Sequence, residues 1–420
     1  MHRAGVDAGR MEGSTGGVGI RNPFATKDFP VATYFLIAIN VFLFYGLNGS
    51  DWTDEILPAF AFNPYSLDLR QMFTSLFIHT SFLHLLGNMI FLWVFGRKVE
   101  MELGSIVFLF FFVASGFAAS IMHLAVLIAF LPPPPASDPN QYVVGASGAI
   151  AGLLGVYSIR FYRDRITIFD TRVSASVLLL GWLVFQMVLA IISLYVPTIN
   201  LGITKIHLAT VGWWVHLGGF VFGMGFAQVS QLGIQARKEY LLSDAQDNYR
   251  RGTLLDVARD YDDLVHMDPE DPFAYAELGR TWALLGDVEQ ARPPYEIAIS
   301  LYISENRTDI AVERFREMRS IFPEAMLDTN LQFRIGCKLE EMSAYEEAVD
   351  VLDQIAMAKP GTVETEMAAL RVGEIYLARL SRPDLAASAF KRFIRMFPDS
   401  EWAPFAEQAL SRTNDTPEHP

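Results

Sequence analysis

Six apolar runs, at roughly 31 to 47, 76 to 96, 105 to 131, 143 to 159, 174 to 197 and 207 to 229, constrain this chain more than any other feature. A helix needs about 20 apolar residues to cross the ~30 Å hydrocarbon layer, and it satisfies its own backbone polar groups while doing so. The runs therefore predict six spanning helices. A mean hydropathy of +0.25 and 13% aromatic residues in 420 agree with a membrane protein.

Lys and Arg in short loops give the orientation. Arg97 and Lys98 follow the second run, Arg160, Arg163, Arg165 and Arg172 the fourth, and Arg237 and Lys238 the sixth. The other loops carry only Arg70 and Lys205. The basic loops are expected in the cytoplasm, with both termini, and the expected location is a bacterial inner membrane. The net charge of −14 gathers after about residue 238 and offers nothing to nucleic acid. Cys337, the only cysteine, has no partner for an internal disulfide. Residues 1–29 are Gly-rich, lack the apolar core of a secretory signal, and read as a flexible leader.

From about residue 240 the pattern turns to polar amphipathic helices with an internal repeat. Gly279, Gly336 and Gly373 align; Ala291 and Ala348 stand at equal spacing after the first two, and Ala386 one residue further after the third. Pro360 and Pro398 close these units, and Pro269 and Pro323 close less regular ones; around 300 to 323 only a second helix is recognisable. The pattern resembles tetratricopeptide repeats over about 240–410, which implies a module that binds a protein partner. Residues 411–420 read as a disordered tail. The expected fold class is all-α: a polytopic six-helix membrane bundle over 30–232, followed by a soluble α-helical repeat domain.

Polar side chains at membrane depth are costly and usually face the bundle interior or a water-filled cavity. His84 and Asn88, four apart, share one face of the second helix, and His79 sits about a turn higher. Gly148, Gly152 and Gly155 form a small-residue stripe on the fourth helix, with Ser147 beside it between Gly145 and Gly148. On the sixth, His216 precedes Gly219 and Gly223 at i+3 and i+7. Serine becomes a nucleophile when a base takes its proton, and neutral imidazole suits that task. If the two stripes meet, Ser147 and His216 form such a pair. Asn88, His84 and the glycine-flanked backbone of Ser147 are donor types suited to an oxyanion.

The segments "HTSFLHLLGN", "GRKVEMELG", "GASG" and "HLGGFVFG", in that order on these helices, resemble the rhomboid intramembrane serine proteases over about residues 30 to 230. The resemblance implies an endopeptidase that cuts single-pass membrane proteins in or near the bilayer. It makes Ser147 the nucleophile and His216 its base, in a dyad without an acidic third member. It assigns His84 and Asn88 to the oxyanion hole, with Gly145 beside them, and places His79 in a supporting role at the aqueous entrance. Gly148, Gly152, Gly219 and Gly223 pack the helices, and Glu100 pins the inner end of the second helix. Arg70 is expected to be structural, in Leu69-Arg70 where the family often has Trp-Arg. Ala151 stands where members often carry an aromatic, which leaves open what packs against His216.

No cofactor is expected. Three histidines suggest zinc, but there is no HExxH and no cysteine or carboxylate beside them. His123 and His207 read as core residues, and Trp213 and Trp214 as boundary anchors. The alternative from another class is a catalytically silent scaffold that binds transmembrane clients and cytoplasmic partners. A transporter explains polar residues at membrane depth but not their fit to acyl transfer.

Overall fold

The computed structural model describes residues 29–47, 55–130, 142–168, 170–195, 198–200, 205–207, 212–358 and 361–414. The leader therefore lies outside the described residues, apart from its last one. The chain divides into two compact units at Arg237/Lys238.

In the first unit, α1 (Val31–Gly46) is followed by two short helices of the outer loop, α2 (Leu57–Phe60) and α3 (Leu69–Thr74). The second run forms α4 (Phe82–Phe91), a π-helical turn (Leu92–Gly96) and α5 (Arg97–Leu103). Then come α6 (Ser105–Phe130), α7 (Ser147–Arg160), α8 (Ala175–Tyr195) and α9 (Trp213–Val229). Two antiparallel hairpins, β1 (Arg165–Ile168) with β2 (Thr171–Ser174) and β3 (Thr198–Asn200) with β4 (Lys205–His207), are small additions to an otherwise helical unit. His207 lies in β4.

Among the described residues each of the six apolar runs holds a helix. Phe82–Leu103, Ser105–Phe130 and Ala175–Tyr195 are long and apolar enough to cross a membrane, whereas α1, α7 and α9 have 16, 14 and 17 residues. The second helix starts later than expected. Ser81 takes an extended conformation and its side chain accepts the His84 N–H at 3.2 Å, which caps α4 from the next residue on. His79 is consequently off the helix, in the extended stretch before it.

The core of this unit gathers Leu92, Phe95 and Val99 with Phe108, Phe112, Leu153, Leu154 and Tyr157. Its polar ties sit at helix ends. Glu100, fully buried, accepts the Ala32 and Thr33 N–H groups at 2.8 and 2.7 Å and the Ser105 hydroxyl at 2.6 Å. Those two N–H groups are orphans of the first turn of α1, so one carboxylate caps α1 and holds it to α5 and α6. Arg160 turns inward to Glu102 at 3.0 Å.

Helix α10 (Leu232–Arg251) contains the division between the units. The second unit continues through α11 (Leu254–Met267), α12 (Pro272–Leu284), α13 (Val288–Ser304), α14 (Thr308–Ile321), α15 (Thr329–Glu341), α16 (Tyr345–Ala358), α17 (Val363–Ala378), α18 (Pro383–Met396) and α19 (Ala403–Asn414). The aligned glycines lie on α12, α15 and α17, and the aligned alanines, all fully buried, on α13, α16 and α18. Each glycine faces its partner helix: a Cβ there would lie 2.9 Å from Tyr295, 2.5 Å from Leu352 and 2.6 Å from Phe390. These are three copies of one helical hairpin, as the tetratricopeptide-like pattern predicts. The irregular copy has a physical form as well, because α13 packs against both α12 and α14 and so serves two hairpins.

The disordered tail expected from residue 411 is corrected. Helix α19 runs through Asn414, because Ala406 and Ala409 pack on Phe390, Phe393 and Phe397; residues 415–420 lie outside the described residues.

Candidate active site

The site is built on a contact between two backbones. A Cβ on Gly219 would collide with the Gly148 carbonyl, one on Gly223 with the Gly152 carbonyl, and one on Gly155 with the Phe220 carbonyl. Helices α7 and α9 therefore touch main chain to main chain, as small-residue stripes allow. Helix α6 closes over them with its own small face: Ser115 meets Gly152, and Ala119 comes within 2.9 Å of a Cβ on Gly148.

Ser147 occupies the first position of α7, and His216 lies in the first turn of α9. The close approach of the helices puts Ser147 Oγ 2.8 Å from His216 Nε2. At the other ring nitrogen, Nδ1 stands 2.9 Å from Gln186 Oε1 on α8. The imidazole is also flanked by Trp182 and, edge-on, by Trp213, both with ring centroids 6.3 Å away. Among the described residues these two indoles are the aromatic neighbours of the His216 ring, the question left open by Ala151. Trp213, read as a boundary anchor, is thus a neighbour of the imidazole.

The segment entering α7 is fastened to the outer loop. Phe62 and Val143 exchange both backbone hydrogen bonds, at 3.0 and 2.9 Å, and Gly145 N–H donates to the Ser75 carbonyl at 2.8 Å. Gly145 has φ +106°, a conformation L side chains rarely adopt. A Cβ there would also lie 2.7 Å from His84 Cε1 and Nε2 and 3.4 Å from Asn88 Nδ2. Space and backbone both require glycine, and its absent side chain lets His84 and Asn88 approach the turn before Ser147.

His79 is fully buried and bonded to Asn88, Nε2 to Nδ2 at 2.9 Å, with its ring 5.1 Å edge-on from that of His84. Expected at an aqueous entrance, His79 lies here in the segment before α4, with its side chain buried. Arg70, expected to be structural, has a side chain 70% exposed that pairs, among the described residues, with Asp68 at 3.5 Å, a surface pair of small energetic consequence. His123 is buried on α6, as its core reading has it.

Sequence reasoning misses Gln186, although this residue carries the same signal as those it finds, a polar side chain inside an apolar run. Among the described residues no group of three or more His, Cys, Asp or Glu is placed to hold a metal.

The stretch of chain that carries this site is similar to known proteins. The Rhomboid domain model matches residues 66–230. Rhomboid protease GluP of Bacillus subtilis (strain 168) is 35% identical over 30% of this chain and 24% of its own length. RHOMBOID-like protein 6, mitochondrial, of Arabidopsis thaliana is 28% identical over 40% of this chain and 51% of its own. The chain thus spans about a quarter and a half of these relatives. Two solved structures align at low scores. YrrB, described as a TPR protein with an unusual peptide-binding site, has 17% identity, covers 39% of this chain and 88% of its own, and has a TM-score of 0.23. TTC0263, a thermophilic TPR protein in Thermus thermophilus, has 18% identity, covers 41% and 99%, and has a TM-score of 0.21. The repeat character of the second unit rests on its own hairpins. Residues 66–230 are a rhomboid domain of an integral membrane protein whose chain continues into a helical repeat.

Proposed function

We propose that this chain is an intramembrane serine endopeptidase acting on single-pass membrane proteins. The observation that carries the reading is the 2.8 Å approach of Ser147 Oγ to His216 Nε2 across the glycine-lined contact. His216 Nε2 takes the hydroxyl proton as Ser147 Oγ attacks the scissile carbonyl carbon. The tetrahedral oxyanion forms beside the first N–H groups of α7, which have no intrahelical acceptor. Asn88 and His84 flank the same turn, and the His79–Asn88 bond orients the carboxamide. As the intermediate collapses, the C–N bond breaks and the leaving amine takes the proton from His216. Water, deprotonated by the same base, then hydrolyses the acyl-enzyme and restores Ser147.

The short α7 supports chemistry below the membrane surface. With Arg160 at the inner boundary, Ser147 stands about 20 Å up a helix that rises ~1.5 Å per residue, short of the ~30 Å layer. A substrate helix must unwind there, which favours Gly, Pro or small residues near the cut. The basic loops support a bacterial inner membrane with both termini in the cytoplasm, where the repeat domain would bind a protein partner. Single-residue roles of Gly145, Gly148, Gly152, Gly219, Gly223 and Glu100 are proposed as positioning and packing.

The test is cleavage of a model single-pass substrate in liposomes by the native protein and by Ser147→Ala and His216→Ala. The native protein is expected to cut, and both variants to fall by at least ~10³-fold. Silence of the native protein on several substrates would favour the scaffold.

A further inference from the structure

We propose that Gln186 is a positioning residue, a neutral third member that fixes the tautomer and orientation of His216. This deepens the protease reading and rests on it. A carboxamide inside a spanning helix is costly, and it persists where it faces the bundle interior and finds a partner. Helix α8 follows that rule along its length. Val177, Leu180, Val184, Val188 and Ile191 are exposed on its outer side, while Leu179, Gln186, Ala190 and Ser193 are buried on the inner one. Gln186, 5% exposed, meets one imidazole there, with Oε1 2.9 Å from His216 Nδ1.

The position of one proton follows from that contact. A carboxamide oxygen only accepts, so the bond requires the imidazole proton on Nδ1. Nε2 then presents its lone pair to Ser147 Oγ, 2.8 Å away, which is the form a general base needs. In the opposite tautomer Nε2 carries the proton and cannot take another from serine. A carboxylate does the same work in soluble triads, where a wrong tautomer costs about 10⁴-fold. In hydrocarbon a buried carboxylate carries a large desolvation cost that a carboxamide avoids. Trp182 and Trp213 flank the ring without supplying an acceptor at Nδ1, so they hold its plane and Gln186 selects its proton.

The experiment uses the full-length protein in liposomes with the model single-pass substrate. Gln186→Met keeps the volume and removes the acceptor; Gln186→Glu keeps an acceptor. Gln186→Met is expected to lower kcat on the order of 10- to 100-fold with KM unchanged, and Gln186→Glu to recover most of that loss. A structural role would instead lower the melting temperature of both variants in parallel with their activity. The proposal is overturned if Gln186→Met cuts at the native rate while Ser147→Ala is dead, or if the glutamate variant fails to recover activity although it melts like the native protein. If the native protein and Ser147→Ala are equally silent, the protease reading falls and this inference falls with it.

Discussion

The two units use glycine for opposite ends. In the membrane unit Gly219 and Gly223 stand against the carbonyl oxygens of Gly148 and Gly152, backbone on backbone. In the repeat unit Gly279, Gly336 and Gly373 make room for the side chains of Tyr295, Leu352 and Phe390. The solvent explains the difference. Lipid tails are as apolar as leucine, so burying a side chain between spanning helices gains little, and close main-chain contact gives the attraction instead. In water a large side chain seated over a notch removes apolar surface at about 25 cal/mol per Å². One notch draws two helices together to join a serine to a histidine; the other admits a ring to fill a core.

Among the glycine substitutions, breaking the backbone contact is expected to have the largest effect. Gly219→Ala pushes α9 off the Gly148 carbonyl and separates Ser147 from His216, and displacement by about 1 Å can cost ~10²-fold. Cleavage of the model substrate checks this, and native activity in the variant would undo the contrast.

The repeat unit has a polar tie of its own, a charged cluster that joins α12, α13 and α14. Arg280 forks onto Glu317 at 2.5 and 2.8 Å, with Arg314 and the Tyr295 hydroxyl on the same carboxylate. Burial pushes the Glu317 carboxyl up, but Arg280, Arg314 and Tyr295 outweigh it and hold it below its ordinary 4.5. Its stabilisation is therefore complete above the ordinary value and lost as pH falls through the lowered one. Glu277 runs the other way: burial raises it despite Arg280, so its ionised form is the costly one. Glu317→Gln is expected to destabilise the unit by about 3 kcal/mol at pH 7, and by progressively less below pH ~4.5, in denaturant unfolding.

Gly373→Ala tests the notch itself. The Phe390 ring must shift rather than a backbone, so the expected cost is about 2 kcal/mol, read as a lower melting temperature. A loss as large as that from Gly219→Ala would erase the distinction between the two kinds of glycine. The smallest change is Arg70→Ala, expected within ~0.5 kcal/mol because the pair with Asp68 is exposed. Loss of activity there would return a structural role to the outer loop.

Local rules made much of this legible. Apolar runs count spanning helices because hydrocarbon admits little else, and glycine spacing marks faces because 3.6 residues make a turn. Ser147 and His216 could be named because their stripes were continuous in the chain. The capping of α4 by Ser81 was equally local, yet the apolar run continues straight through it, and so periodicity alone puts His79 on a helix it does not join.

What the sequence determined by itself is therefore the set of helices, their small-residue faces and the residue types able to perform acyl transfer. The tertiary structure alone decided that Gln186 reaches His216 Nδ1, that Trp182 and Trp213 flank its ring, and that Glu100 caps α1 rather than simply anchoring its own helix. Those contacts join residues far apart in the chain. They depend on how each helix is rotated and where it crosses its neighbours, and no periodicity within one helix encodes that.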